Sequence, residues 1–96
     1  MIKVIVERHV KSLADAWTQL RELRMAAMQH GGYVSGETLT EIGDRKTVIT
    51  ISTWQDISSW KSWEKSKERA ELYKKIQPFL SGKPKATVYE ILGSGK

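Results

Sequence analysis

The sequence predicts an α+β fold: a ferredoxin-like plait in which four antiparallel strands form one sheet and helices cover one of its faces. Four segments have the alternation or the β-branched composition of strands, and the segments between them repeat apolar residues at helical steps of three and four. The element order is βαββαβ, the order of a split βαβ sheet with its crossovers on one side. Residues 1–96 are therefore predicted to form a single domain.

The strands are predicted from alternation and from one turn signal. Residues 2–10 form the first strand, because apolar side chains occupy alternate positions there. Residues 33–41 and 46–54 are rich in Thr, Val, Ile and Tyr, and the Gly43-Asp44 pair between them favours a tight turn, so they form a hairpin. Residues 86–92 form the last strand.

The helices are predicted from their caps and their spacing. Ser12 caps a long helix that the Gly31-Gly32 pair ends, Asp56 caps a second helix, and Ser66 begins a third that ends near Pro78. Each helix has one apolar side with helical spacing. The residues on these sides are Leu13, Ala16, Trp17, Leu20, Leu23 and Ala27, then Ile57, Trp60 and Trp63, then Ala70, Tyr73, Ile76 and Leu80.

Composition narrows the classes of function. Cysteine is absent, which excludes disulfides, thiolate metal sites and cysteine nucleophiles and favours a reducing cytoplasm. Met1 leads directly into a strand pattern instead of a signal peptide, and no apolar run approaches the roughly 20 residues of a membrane span. We therefore expect a cytoplasmic protein with no membrane partner.

The net charge of +5 is unevenly distributed. Before Ile57 seven basic residues balance seven acidic ones, and the remainder carries nine basic against four acidic residues. Lysine and glutamate are interleaved at helical spacing, which is typical of a solvated helix face. The third strand also lacks the exposed aromatic residues of an RNA-binding sheet. We expect no nucleic-acid partner.

The second face of the sheet is predicted to be covered by another copy of the chain. In strands one and three both alternation phases are apolar, since Ile5 follows Val4 and Ile49 follows Val48. A sheet with one solvated face has polar residues in one phase. A homodimer that packs sheet against sheet would bury the second apolar face.

The tryptophans are concentrated where the third strand meets the second helix. Trp54, Trp60 and Trp63 lie within ten residues of one another. Tryptophan is large, rigid and rarely buried completely, so such a cluster forms either an aromatic corner of the core or the wall of a cavity for a flat molecule. The sequence leaves both alternatives open.

The same region resembles a known family. The block from Thr47 to Pro78 joins a β-branched strand ending in Trp54 to a helix with Trp60 and Trp63, and residues 31–39 read Gly-Gly-Tyr-Val-Ser-Gly-Glu-Thr-Leu. These residues resemble the antibiotic biosynthesis monooxygenase domain of the dimeric α+β barrel group. The resemblance implies a homodimer with facing sheets and a pocket in each monomer between helices and sheet. Several members oxygenate quinols, anthrones or related polyphenols without metal or flavin, and others degrade haem.

The resemblance also suggests which residues bind substrate. Trp63 stands where haem-degrading relatives have a pocket tryptophan, and it could pack on a bound ring as well as on the core. Trp60 has the spacing of a core residue, and we expect it to make a second contact with a bound ring. Arg69 stands where many relatives have a histidine, and it offers a fixed positive charge to an anionic substrate or oxyanion. A solvated arginine paired with glutamate is the alternative for Arg69.

Two further residues are catalytic candidates. Glu7 could act as a general base if it faces a cavity that raises its pKa, although an ion pair at the surface is the commoner role. Tyr73 stands where haem degraders have a histidine ligand, and Glu7 where they have an asparagine, so both departures weaken a haem interpretation. Neither His9 nor His30 belongs to a cluster with metal-site spacing.

The expected function is a cofactor-independent monooxygenase that acts on a small aromatic or quinol-like substrate, with no bound cofactor or metal. The alternative is a non-catalytic dimeric module that binds a ligand in the same pocket. A haem-binding or haem-degrading protein is the less favoured third interpretation. The first predicts oxygen uptake without added cofactor, and the second predicts binding without turnover.

Overall fold

The computed structural model describes residues 1–95, and Lys96, the last residue of the predicted domain, lies outside the described residues. Four strands and three α-helices follow one another in the predicted order. They are β1 (Ile2–His9), α1 (Leu13–Met28), β2 (Tyr33–Glu41), β3 (Asp44–Trp54), α2 (Ile57–Glu64), α3 (Lys67–Ile76) and β4 (Lys85–Glu90).

The strands form one sheet in the order β2-β3-β1-β4. All three pairings are antiparallel, with Ile5 opposite Ile51 of β3 and Thr87 of β4 in the centre. The two central strands are β1 and β3. The connection from β1 to β2 therefore passes over β3, and the connection from β3 to β4 passes over β1. This is the predicted ferredoxin-like plait.

The end of α3 differs from the prediction. A single 3₁₀ turn, Gln77–Phe79, follows the helix and contains Pro78. Proline has no N–H for an α-helical hydrogen bond and restricts the residue before it, so the helix ends at Ile76. Leu80, predicted to lie on the helix, instead forms an isolated bridge with Val10 and is buried.

The helix starts are set by the predicted caps. The side chains of Ser12 and Ser66 accept backbone N–H bonds at the starts of α1 and α3. The carboxylate of Asp56 accepts bonds from the backbone N–H and the hydroxyl of Ser59, both at 2.8 Å, and these bonds together with one from Ser58 lower its pKa. Asp56 thereby fixes the start of the helix that carries Trp60 and Trp63.

The core lies between the helices and one face of the sheet, which we call the inner face. Along β1 this face carries Val4, Val6 and Arg8, all buried. The apolar residues form two clusters, one around the three tryptophans and one around Val10, Leu20 and Ile76. Three residues predicted on apolar helix sides are exposed: Trp17, Ile57 and Ala70. Among residues 1–95, no helix is long and apolar enough to cross a membrane.

Candidate functional site

A small cavity lies between the inner face and the helices. Its volume is ≈ 40 Å³. That is room for a few water molecules and far below the roughly 300–1,000 Å³ of a ligand pocket. Its wall combines aromatic and basic side chains, chiefly Trp54, Trp60, Trp63, Arg8 and Arg69. An aromatic ligand can enter only if side chains at the edge of the cavity move. Arg24 lies at this edge, and its side chain is exposed to solvent.

The tryptophans form one connected aromatic wall. Trp54 is completely buried, and its indole N–H donates to the hydroxyl of Ser52 at 3.0 Å. Trp60 meets it edge to face with the ring centres 5.8 Å apart. Trp63 is also buried, and the centre of its ring lies 5.7 Å from the centre of the His30 ring. The cluster is therefore an aromatic corner of the core that also lines the small cavity, and the binding of a flat molecule there stays a prediction.

Tyr33 extends this wall at the start of β2. Its ring lies edge to face on Trp54 at 5.3 Å. A Cβ at Gly36 would collide with the Tyr33 hydroxyl, so the glycine makes room for this phenol. Burial raises the pKa of Tyr33, and the nearby Arg24 guanidinium opposes that rise. Tyr33 is thus held as a neutral phenol at one side of the cavity.

A buried arginine forms the polar end of the site. Arg8 is 4% exposed. Its guanidinium donates to the Tyr73 hydroxyl from Nε at 3.1 Å and from Nη2 at 2.7 Å, and to the Thr50 hydroxyl from Nη1 at 3.1 Å. The three bonds connect β1, β3 and α3 at the cavity.

Arg69 approaches the same phenol from α3. Its Nη2 donates to the Tyr73 hydroxyl at 3.3 Å, and its guanidinium carbon lies 4.3 Å from the centre of the Tyr73 ring. It also lies 5.9 Å from the Trp60 ring, within range of a cation–π interaction. Burial lowers the pKa of Arg69, with opposing contributions from Tyr73 and Glu64 and a further lowering by Arg8. Arg69 is therefore part of the cavity wall.

The structure brings four of the five predicted site residues together. Trp60, Trp63 and Arg69 line the cavity, and the Tyr73 hydroxyl is bound by both arginines beside it. Glu7 does not share this site. It alternates with Arg8 and so projects from the opposite, outer face of the sheet, where its carboxylate pairs with His9 at 3.2 Å.

The sequence interpretation missed Arg8. The strand alternation could have identified Arg8 as an inner-face residue, because it occupies the same phase as Val4 and Val6, which are buried. Charged residues are almost never fully buried unless they have partners, so an arginine in a core phase is informative. The Tyr73 partner is 65 residues away in sequence, and only the packing of α3 on β1 identifies it.

A second concavity lies between the start of α1 and the β2–β3 hairpin. This groove has a volume of ≈ 390 Å³, which is within the range of ligand pockets. Its lining is mostly apolar, including Leu13, Trp17 and Val48, and Arg45 is its one charged side chain. The smaller cavity has the buried Arg8, the partly buried Arg69 and, beside them, the Tyr73 hydroxyl, so we place the candidate site there.

Comparisons by sequence find no match: no protein-family model fits the chain, and no curated protein is similar to it at a significant level. Similar folds are found among solved structures. SnoaB, a cofactor-independent oxygenase from Streptomyces nogalater, has a TM-score of 0.87 and 10% identity, over 97% of this chain and 94% of its own.

Two further structures show the same architecture. A candidate antibiotic biosynthesis monooxygenase from Nitrosomonas europaea has a TM-score of 0.86 and 13% identity, over 97% of this chain and 100% of its own. A conserved protein of unknown function from Bacteroides thetaiotaomicron, described as a possible oxidoreductase, has a TM-score of 0.80 and 21% identity, over 94% and 96% of the two chains. At such identities the likeness concerns the fold. The chain has the antibiotic biosynthesis monooxygenase fold that the sequence resemblance implied.

Proposed function

We propose that the protein is a cofactor-independent monooxygenase that acts on a small aromatic or quinol-like substrate in the cavity between the sheet and the helices. One observation carries the proposal: the Arg8 and Arg69 guanidinium groups converge on the Tyr73 hydroxyl directly beside the aromatic wall. A flat ring and a developing oxyanion need these two kinds of surface next to each other. The fold of SnoaB, a cofactor-independent oxygenase, supports the same assignment.

Each residue then has a definite role. Trp63 and Trp60 contact the face of the substrate ring, and Arg69 and Arg8 donate to its oxygen. The Tyr73 oxygen accepts from both guanidinium groups, so its own O–H is free to donate to substrate or to the reduced oxygen. We assign Glu7 no role in this cavity because it projects from the outer face.

The substrate supplies the electrons for the proposed reaction. A ring anion passes electrons to O₂, a C–O bond forms at the carbon that carried negative charge, and the hydroperoxide loses water. For an anthrone-like methylene carbon the net change is CH₂ to C=O. The carbon loses four electrons and O₂ gains four. One oxygen atom stays on the product, and the other leaves as water with both methylene hydrogens, so no external reductant is needed.

Oxygen uptake by metal-free protein tests this proposal. We expect uptake with at least one member of a panel of quinols, anthrones and electron-rich phenols. We expect Trp63→Ala to lower kcat/KM by roughly tenfold or more, because a lost ring contact worth about 1.4 kcal/mol has that effect. Trp17→Ala is the matched control, since Trp17 is exposed and lies outside the cavity. Equal losses in both variants would contradict the assignment of the cavity.

The second candidate function is a non-catalytic module that binds a ring in the same cavity. The scarcity of proton acceptors favours it, because among the described residues Glu37 is the one carboxylate-bearing residue along the cavity lining. Binding of panel compounds without uptake would identify this function. Haem fits less well, because the Tyr73 oxygen that would replace a histidine ligand is already bound by two cations.

We also propose that two copies pair through the outer face. Its central apolar residues are Ile5, Ile49 and Ile51, and all three are incompletely buried in the single chain. Pairing would remove this surface from water. Ile51→Glu should convert a dimer into a monomer in sedimentation at tens of micromolar protein. Ile42→Glu should not, because Ile42 is fully exposed at the hairpin turn. A monomeric parent protein would refute the pairing.

A further inference from the structure

The two arginines of the site have no carboxylate partner. Within residues 1–95 the single ion pair is that of His9 with Glu7, on the outer face. Arg8 and Arg69 donate only to neutral oxygens: the hydroxyls of Tyr73 and Thr50 and the backbone carbonyl of Glu64. The two guanidinium groups therefore share one phenol with no described carboxylate within ion-pair distance, and the exposed Glu64 acts on Arg69 only from farther away.

Such an arrangement is costly unless something compensates for it. Removing a charge from water carries a penalty of several kcal/mol after relaxation, and two like charges add repulsion. Arginine remains protonated, so it does not escape the penalty by losing its proton. Arg8 donates three of its five N–H bonds to described residues, which leaves two that can bind a ligand. The site has the charge and the donors to receive an anion.

Within residues 1–95, the groups that accept hydrogen bonds from the two arginines are neutral hydroxyls and a backbone carbonyl, which are poor bases. The Tyr73 oxygen of α3 accepts from both arginines, Tyr33 of β2 is held neutral, and Arg24 of α1 is a cation. Glu64 of α2 is exposed and presents its backbone carbonyl to Arg69. Glu37 of β2 lies along the cavity lining, but it is exposed, pairs in register with the outer-face Ile51 and forms no ion pair with either arginine within residues 1–95. A substrate that arrived neutral would therefore meet no base among the described residues that are hydrogen-bonded to Arg8 and Arg69.

We propose that the cavity binds its substrate already ionised, as the phenolate or enolate oxyanion of a planar ring held by Arg8 and Arg69. This inference rests on the proposed function and names its substrate class. The ring O–H bond breaks, its proton goes to the solvent buffer, and the oxygen keeps the electron pair. The cations lower the ring's pKa, so acidic phenols and enols bind best.

The test uses 4-nitrophenol, whose ionised form absorbs visible light, and 4-nitroanisole, which has the same ring and cannot ionise. At a pH about one unit below the solution pKa of the probe, we expect protein to generate the phenolate band. We also expect 4-nitrophenol to bind at least tenfold more tightly than 4-nitroanisole. Calorimetry in two buffers of different ionisation enthalpy should show release of one proton per site. Trp fluorescence reports binding of both probes, because three tryptophans line the cavity.

Variants separate the two arginines from general surface charge. Arg69→Met should reduce the phenolate band and weaken 4-nitrophenol binding by tenfold or more, while binding of 4-nitroanisole stays the same. Arg45→Met is the control, because Arg45 is an exposed arginine in the other groove. Ligand-free Arg69→Met should melt at or above the parent temperature, since it loses a partly buried charge that has no ion-pair partner within residues 1–95. Arg8→Met also removes the bonds to Tyr73 and Thr50 and therefore disturbs the fold more, so it is used only to confirm the weaker 4-nitrophenol binding expected for Arg69→Met.

The outcomes that overturn the inference are distinct. Bound 4-nitrophenol that remains neutral overturns it, as do equal affinities for the two probes or failure of millimolar 4-nitrophenol to bind. A lower melting temperature of ligand-free Arg69→Met would make the arginine a structural element instead. None of these readouts depends on oxygen uptake. A phenolate band without oxygen uptake supports this inference and refutes the oxygenase. Oxygen uptake by a protein whose bound 4-nitrophenol stays neutral supports the oxygenase and refutes this inference.

Discussion

Replacing Trp54 with alanine should lower the free energy of unfolding by about 3–5 kcal/mol, the range for aromatic residues truncated in a core. Trp54 has no exposed surface and touches the rings of Tyr33, His30 and Trp60. Its removal also leaves the Ser52 hydroxyl without the indole donor. The loss is a large part of the roughly 5–15 kcal/mol that stabilises a domain. Chemical denaturation monitored by circular dichroism measures it.

If Trp54→Ala fails to fold, two milder variants still test this prediction. Trp54→Phe keeps an aromatic ring and should lose about 1–2 kcal/mol through the missing volume and the missing bond to Ser52. Trp17→Ala removes a tryptophan that is 42% exposed and should cost less than about 1 kcal/mol. A cost for Trp17→Ala that matched the cost for Trp54→Phe would show that the buried aromatic wall is not the main anchor of this core.

The second large effect is expected at Gly32, where alanine should cost at least about 2 kcal/mol. Gly32 has φ +89°, a region that residues with a Cβ rarely adopt. An added Cβ would also collide with the side chain of Ser59 at the start of α2. Ser59 is bound by the capping carboxylate of Asp56, so it cannot move without disturbing that cap. Thermal unfolding should show a fall of about 8 °C or more.

Gly31 provides the matched control for this glycine. A Cβ at Gly31 meets no atom within 4 Å, and its φ is not positive, so Gly31→Ala should change stability by less than about 0.5 kcal/mol. Combining Gly32→Ala with Ser59→Gly should recover the part of the loss caused by the collision and leave the part caused by φ. Equal effects at the two glycines would contradict the close approach of this turn to α2.

The stability of the aromatic wall bears on the proposed function. Trp54 and the Gly32 turn fix the end of β3 and the start of α2, and α2 positions Trp60 and Trp63. Those two rings form the wall against which a substrate would lie. Gly32→Ala should therefore weaken ring binding as well as stability, although no cavity residue has changed. A site built on helix and strand residues keeps its geometry because the core that supports it is well packed.

Local sequence was sufficient to predict the order of the elements. Strand alternation and helical spacing depend on neighbouring residues, so they identified four strands and three helices, and the caps at Ser12, Asp56 and Ser66 set the helix starts. The Trp60 and Trp63 positions followed from the same periodicity. Errors occurred at ends, as at Leu80, where Pro78 stops the helix and the chain pairs with β1 instead.

The candidate site needed the tertiary structure, because its bonds join residues far apart in the chain. The alternation of β1 could place Arg8 on the inner face and Glu7 on the outer, but it could not show which partners they meet there. Tyr73 reaches Arg8 only because α3 packs across β1, 65 residues away. The sequence by itself determined the order and type of the elements, since strand alternation and helical spacing depend on short-range geometry. The tertiary structure alone decided that two arginines share one phenol, because long-range packing creates that contact.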